Sequence, residues 1–122
     1  MNRRAFRRLI EEAVNDLPSP FAEKMRNVEI VVEDEPTIEQ LESHELDPEE
    51  DTLFGLYEGV PLPDREHNFG MMLPDRITIF YFPLIESFDT PGEIREEIRK
   101  TVIHEIAHFF GLDDDEIEDL GY

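Results

Sequence analysis

His104 and His108 stand four residues apart in the stretch Thr101–Asp115, with Glu105 directly after the first of them. This H-E-x-x-H arrangement constrains the chain more than any other feature, because it works as a ligand pair only on an α-helix. Each helical residue turns about 100°, so positions four apart project from one face about one turn apart. Both imidazoles then point the same way, as two ligands of a tetrahedral metal must. Glu105 sits about 100° round from His104, where it can reach a water at the metal without ligating the metal. Gly111 falls three residues after His108, and Asp114 three after that. A straight helix would carry residue 114 away, but glycine accepts positive φ and commonly follows a helix end. A turn at Gly111 is therefore predicted to bring Asp114 back as the third ligand. Imidazole nitrogen and carboxylate oxygen suit zinc, whose catalytic sites combine three protein ligands with one open position. Asp113 and Asp115 are neighbours that could substitute for Asp114 or support a histidine.

The start of that helix is also legible. Thr90, Pro91 and Glu93 read as an N-cap, a proline at the first helical position and a capping glutamate. The helix is predicted over 91–110. Ile98, Val102, Ile103, Ile106, Phe109 and Phe110 form its apolar arc beside the histidine face. A final short helix is predicted over Asp113–Leu120, with Ile117 and Leu120 inward.

Upstream, Phe6, Leu9, Ile10, Ala13, Val14 and Leu17 recur at helical spacing, so 2–16 reads as an amphipathic helix with its arginines on the wet face. Ser19 as N-cap and Pro20 at the first position predict a short helix through Met25. Val28–Glu33 alternates and is β-branched, predicting a strand. Further strands are expected near 52–57 and 76–82, the second apolar on both faces and stopped by Pro83. Residues 33–51 hold ten acids and no Lys or Arg, and read as an exposed, solvated loop carrying one short helix capped by Thr37 and Gln40. Residues 61–75 read as a second loop.

Composition excludes several classes. The 122 residues suit one small domain, 1–122, and an apolar share of 39% suffices for one core. No cysteine is present, so thiolate ligands and disulfides are excluded. A net charge of −20, from 31 acids against 11 bases, opposes nucleic acid or an anionic membrane as partner. Arg3-Arg4 and Arg7-Arg8 are followed by Glu11-Glu12 rather than an apolar signal region, so a cytoplasmic location is expected. The acidic segment lacks the ligand spacing of an EF-hand.

The roles that follow are zinc held by His104, His108 and Asp114, and Glu105 as the base. Glu105 would take a proton from the attacking water and pass it to a leaving amine. The ending TVIHEIAHFFGLDDDEIEDLG, the stretch FGLYEGVPLPDR (Phe54–Arg65) and LPDRITIF (Leu73–Phe80) resemble the minimal zincin-like metallopeptidases, a family of short bacterial proteins. The resemblance covers nearly the whole chain, and the H-E-x-x-H-x-x-G-x-x-D spacing is also similar to that of snapalysin-type proteases. It implies an α/β (α+β) zincin-like fold, with a small mixed sheet packed on the motif helix and zinc at the matching positions. A peptide or protein is then the expected substrate. No methionine follows the motif, Met72 being the last, so no Met-turn is expected.

Two other functions compete. A zinc-binding interaction module without catalysis would carry the same ligands. The bacterial rRNA-maturation endoribonucleases have a similar H-G-x-x-H-x-x-G-x-D-H motif, with glycine where this chain has Glu105 and histidine where it has Asp114. Both differences, and the acidic charge, favour a peptide substrate over RNA. Tyr57, Arg65 and His67 are candidates for stabilising an oxyanion. His44 reads as a solvated loop residue, Tyr81 and Phe82 as core, and Arg76 as a partner for an acid.

Overall fold

The computed structural model describes residues 1–59 and 74–122. The chain runs α1 (Arg3–Asn15), α2 (Phe21–Lys24), a 3-10 turn (Met25–Asn27), β1 (Val28–Glu33), α3 (Ile38–Ser43), β2 (Gly55–Glu58), β3 (Asp75–Phe80), α4 (Tyr81–Ser87), α5 (Pro91–Phe109) and α6 (Asp114–Asp119). The fold is α+β, with a mixed sheet of three strands among the described residues, in the order β1-β3-β2. β1 runs parallel to β3, Val28 opposite Asp75, and β2 antiparallel to it, Tyr57 opposite Ile77.

The amphipathic reading of the N-terminal helix holds. Phe6, Leu9, Ile10 and Ala13 are buried on one side of α1, and Asn2 caps it by accepting from the Ala5 amide at 2.8 Å. α1 packs across α5 and supplies the core wall that the small sheet cannot. From α5, Ile94, Ile98, Val102, Ile103, Ile106 and Ala107 enter the same core, together with Ile77 and Ile79 of β3. Thr78 and Phe80, alternating with those two, are also buried. Both faces of the central strand are thus covered, which accounts for its unbroken apolar run.

Several boundaries differ from the predicted ones. The third strand ends at Phe80, and Tyr81–Ser87 is helical with Pro83 inside it. Proline is tolerated there because first-turn amides have no intrahelical acceptor. The Phe82 amide instead donates to the Asp34 carbonyl at 2.9 Å, and Phe82 lies partly exposed rather than in the core. The second strand starts at Gly55, three residues later than expected. Pro20, not Ser19, occupies the N-cap of α2, and Ser19 donates its hydroxyl to Glu23 at 2.7 Å. That bond and the backbone amide hold the Glu23 carboxyl below its ordinary value. Arg76 is exposed and has no ion-pair partner among the described residues. Thr37 and Gln40 do form the predicted capping box, and the rest of the acidic segment is mostly exposed, His44 included. No described helix is long and apolar enough to cross a membrane.

Candidate metal centre

Thr90 starts the motif helix as predicted. Its hydroxyl accepts from the Glu93 amide at 3.2 Å and donates to the Glu93 carboxylate at 2.9 Å, with Pro91 at the first position. The helix then runs nineteen residues, through both histidines, to Phe109. It stops where Gly111 adopts φ +90°. The Gly111 amide donates to the His108 carbonyl at 3.0 Å and the Leu112 amide to the Ala107 carbonyl at 2.9 Å, the paired bonds of a Schellman ending. The chain reverses there. Asp113 next caps α6, accepting from the Glu116 amide at 2.9 Å while Glu116 accepts from the Asp113 amide at 3.3 Å. Asp114, one residue on, faces the histidines.

His104, His108 and Asp114 each offer a donor atom, and these atoms all lie within 4.8 Å of one another. Nε2 of His108 contacts Oδ1 of Asp114 at 2.8 Å. Nε2 of His104 lies 3.4 Å from the backbone oxygen of Tyr122, which a second glycine turn at Gly121, φ +92°, carries back toward α5. The predicted ligand trio therefore converges, while Asp113 is committed to capping and Asp115 lies outside the cluster.

Glu105 belongs to a different stripe of the helix. Its Oε1 accepts from the backbone amide of Tyr57 in β2 at 2.9 Å, and the carboxylate is not among the three converging ligand groups, though it lines one groove with His104. Sequence reasoning missed this amide, because a main-chain group leaves no residue-type signal. Tyr57 itself stacks on Phe109, with ring centroids 4.2 Å apart at 28°, and donates its hydroxyl to Asp75 at 2.7 Å. An oxyanion role for that hydroxyl is not what this arrangement favours. Arg65, His67 and nearly all of the predicted 61–75 loop lie outside the described residues.

The two phenylalanines placed on the apolar arc are corrected here: Phe109 is 46% and Phe110 50% exposed. Both lie past the last core turn, where Phe109 meets Tyr57 and Phe110 lies under Lys24, whose Nζ is 4.0 Å from the ring centroid. Leu120, expected inward, is likewise 55% exposed, while Ile117 is fully buried.

The donor set fits zinc. Two imidazoles and one carboxylate converge, and the side chains of His108 and Asp114 remain 44% and 81% exposed, leaving one side of the cluster open to solvent. Beside it, a groove of about 260 Å³ runs between α5 and the start of β2, lined by Phe54, Gly55, Lys100, Thr101, His104 and Glu105. A larger concavity of about 470 Å³ lies between α1 and β1, but its lining contains no metal-ligating cluster.

The sequence profile of the zincin-like metallopeptidases matches residues 25–122. The chain belongs to the zincin-like metallopeptidase family. A search of curated proteins finds no match. For this zincin-like chain, membership supports metal-dependent peptidase chemistry in general terms, with a metal that is typically zinc and with peptides or proteins as substrates. α1 lies outside the matched range, yet it shares one core with the motif helix.

Proposed function

We propose that this chain is a zinc-dependent peptidase formed by residues 1–122 as one domain, with His104, His108 and Asp114 holding the zinc and Glu105 acting as general base and acid. The zinc, when bound, polarises the scissile carbonyl and acidifies water. The chain's own residues supply the rest. The Tyr57 amide takes one oxygen of Glu105. The other oxygen has no hydrogen-bond partner among the described residues, and it takes the proton from the attacking water and hands it to the departing amine nitrogen. Groove residues along α5 and β2 admit an extended peptide past that carboxylate.

One observation carries this reading above the others: a glutamate beside the ligand trio but held outside it. A structural zinc site has no use for such a group, and the endoribonuclease-type motif has glycine there. Exposure of His108 and Asp114 also argues against a sealed structural site. The test is a paired assay of zinc-loaded wild type and Glu105→Ala on a peptide library and on RNA. Peptide cleavage by the wild type, reduced about 10²–10⁴-fold in Glu105→Ala, is expected. Equal peptide cleavage by both would remove Glu105 as the base. No cleavage of either substrate would favour an interaction module, and RNA cleavage that survives Glu105→Ala would favour the nuclease.

A further inference from the structure

Thr101, Glu105 and Phe109 follow one another at spacing four on α5, and Gly55, Tyr57 and Gly59 at spacing two along the β2 segment. Four helical residues rise about 6.0 Å and two strand residues about 6.6–6.8 Å, so the two series stay in step along the contact. The contacts follow that match. A Cβ on Gly55 would lie 2.7 Å from Cγ2 of Thr101, and one on Gly59 would lie 2.7 Å from the Phe109 ring. Between them, the Tyr57 amide reaches Glu105.

This amide is available because of strand geometry. The Phe80 amide donates to the Phe54 carbonyl, which makes 54/80 a hydrogen-bonded pair of the antiparallel ladder. Alternation then turns the amides of residues 55 and 57 away from β3. An amide pointing off the edge reaches a helix side chain only if the helix lies unusually close. The missing side chain at residue 55 permits that approach. Phe109 is a partly exposed ring and can swing away from a Cβ at residue 59. Thr101 is β-branched and half-buried, and the carbonyl of Thr78 stands 3.2 Å from the Gly55 Cβ position, so residue 55 has little slack.

We infer that Gly55 is a positioning residue for the general base: by having no side chain it sets the α5–β2 spacing at which the Tyr57 amide grips Glu105. The consequence for catalysis rests on Glu105 being the base, as proposed above. The grip itself does not. A fixed carboxylate is held in one rotamer, with its second oxygen aimed for proton transfer, so a loosened one loses rate rather than substrate affinity.

The test combines amide hydrogen exchange at Tyr57 with kinetics, zinc stoichiometry being checked in each variant. Glu105→Ala should speed exchange of the Tyr57 amide about tenfold or more, the loss expected for a charge-assisted hydrogen bond, with other β2 and β3 amides little changed. Gly55→Ala should do the same, and should lower kcat about tenfold while KM stays within about twofold. Thr101→Ser removes the colliding Cγ2 and keeps the hydroxyl. Added to Gly55→Ala, it should restore most of both the exchange protection and kcat. Unchanged Tyr57 exchange in Glu105→Ala would overturn the grip, whether or not Gly55→Ala folds. Unchanged exchange in a folded Gly55→Ala, or a defect that Thr101→Ser fails to relieve, would overturn the spacing role. If no peptide is hydrolysed at all, the peptidase reading fails, and the exchange measurements still decide the grip.

Discussion

The backbone amide of Tyr57 donates to Oε1 of Glu105 at 2.9 Å, across 48 residues of sequence. The bond divides α5 into three working faces. Ile98, Val102 and Ile106 enter the core, His104 and His108 turn toward Asp114, and Thr101, Glu105 and Phe109 lie against β2. One helix thereby holds the proposed ligands and the proposed base in fixed relation, and the division generates separable tests.

Zinc binding should depend on each member of the trio. His104→Ala, His108→Ala and Asp114→Ala are each expected to weaken zinc more than 100-fold, exceeding the loss typical of a supporting residue. Asp115→Ala should leave affinity within a few-fold, since Asp115 lies outside the cluster. Titration against a competing chelator measures all four. An Asp115 variant as weak as the Asp114 variant would move the third ligand.

Zinc should also stabilise the fold, because the donors converge only in the native state. At free zinc a hundredfold above Kd, the gain is about 2.7 kcal/mol. Thermal denaturation with zinc and with chelator should show a rise in Tm that His108→Ala abolishes. A Tm indifferent to zinc in the wild type would count against a preformed site.

Gly111→Ala should cost about 1–2 kcal/mol, because a Cβ at φ +90° is strained even though nothing stands within 4 Å of it. Zinc affinity should fall with it, as Asp114 depends on the reversal. Gly111→Asn should recover part of both losses, since asparagine tolerates positive φ. Chemical denaturation and zinc titration on the same three proteins give the answer.

Asp113→Ala removes the cap of α6 and should destabilise by about 1 kcal/mol. Its effect on zinc should be smaller than that of Asp114→Ala, since it acts only by fraying the turn that carries the ligand. Ile98→Ala, at a fully buried core position, provides a contrast. It should destabilise by about 2–5 kcal/mol and leave zinc affinity of the folded protein unchanged. Equal zinc loss in both would mean that the site only reports global stability.

Local chemistry made the proposed ligand trio legible before any fold was known. Histidines at i and i+4 share a helix face whatever surrounds them, Thr90-Pro91 starts that helix, and Gly111 ends it by a backbone conformation that glycine adopts without strain. In α1, the spacing of Phe6, Leu9, Ile10 and Ala13 marks the buried side by periodicity alone. None of this information depends on a distant residue. Pro83 misled for a related reason: its lack of an amide proton is compatible with both a strand end and a first helical turn, and only the Asp34 carbonyl meeting the Phe82 amide distinguishes them.

The position of the proposed base needed the tertiary structure. Glu105 could be named from its place between the histidines, but the group that orients it is a main-chain amide on another element, and every residue except proline carries one. The exposure of Phe109 and Phe110 was hidden too, because helical periodicity does not say where along α5 the core ends and the edge strand begins. Spacing along one helix is fixed by its covalent geometry. The distance between a helix and a strand is set by the side chains between them, here by the absence of one at Gly55, and it exists only once both elements have packed.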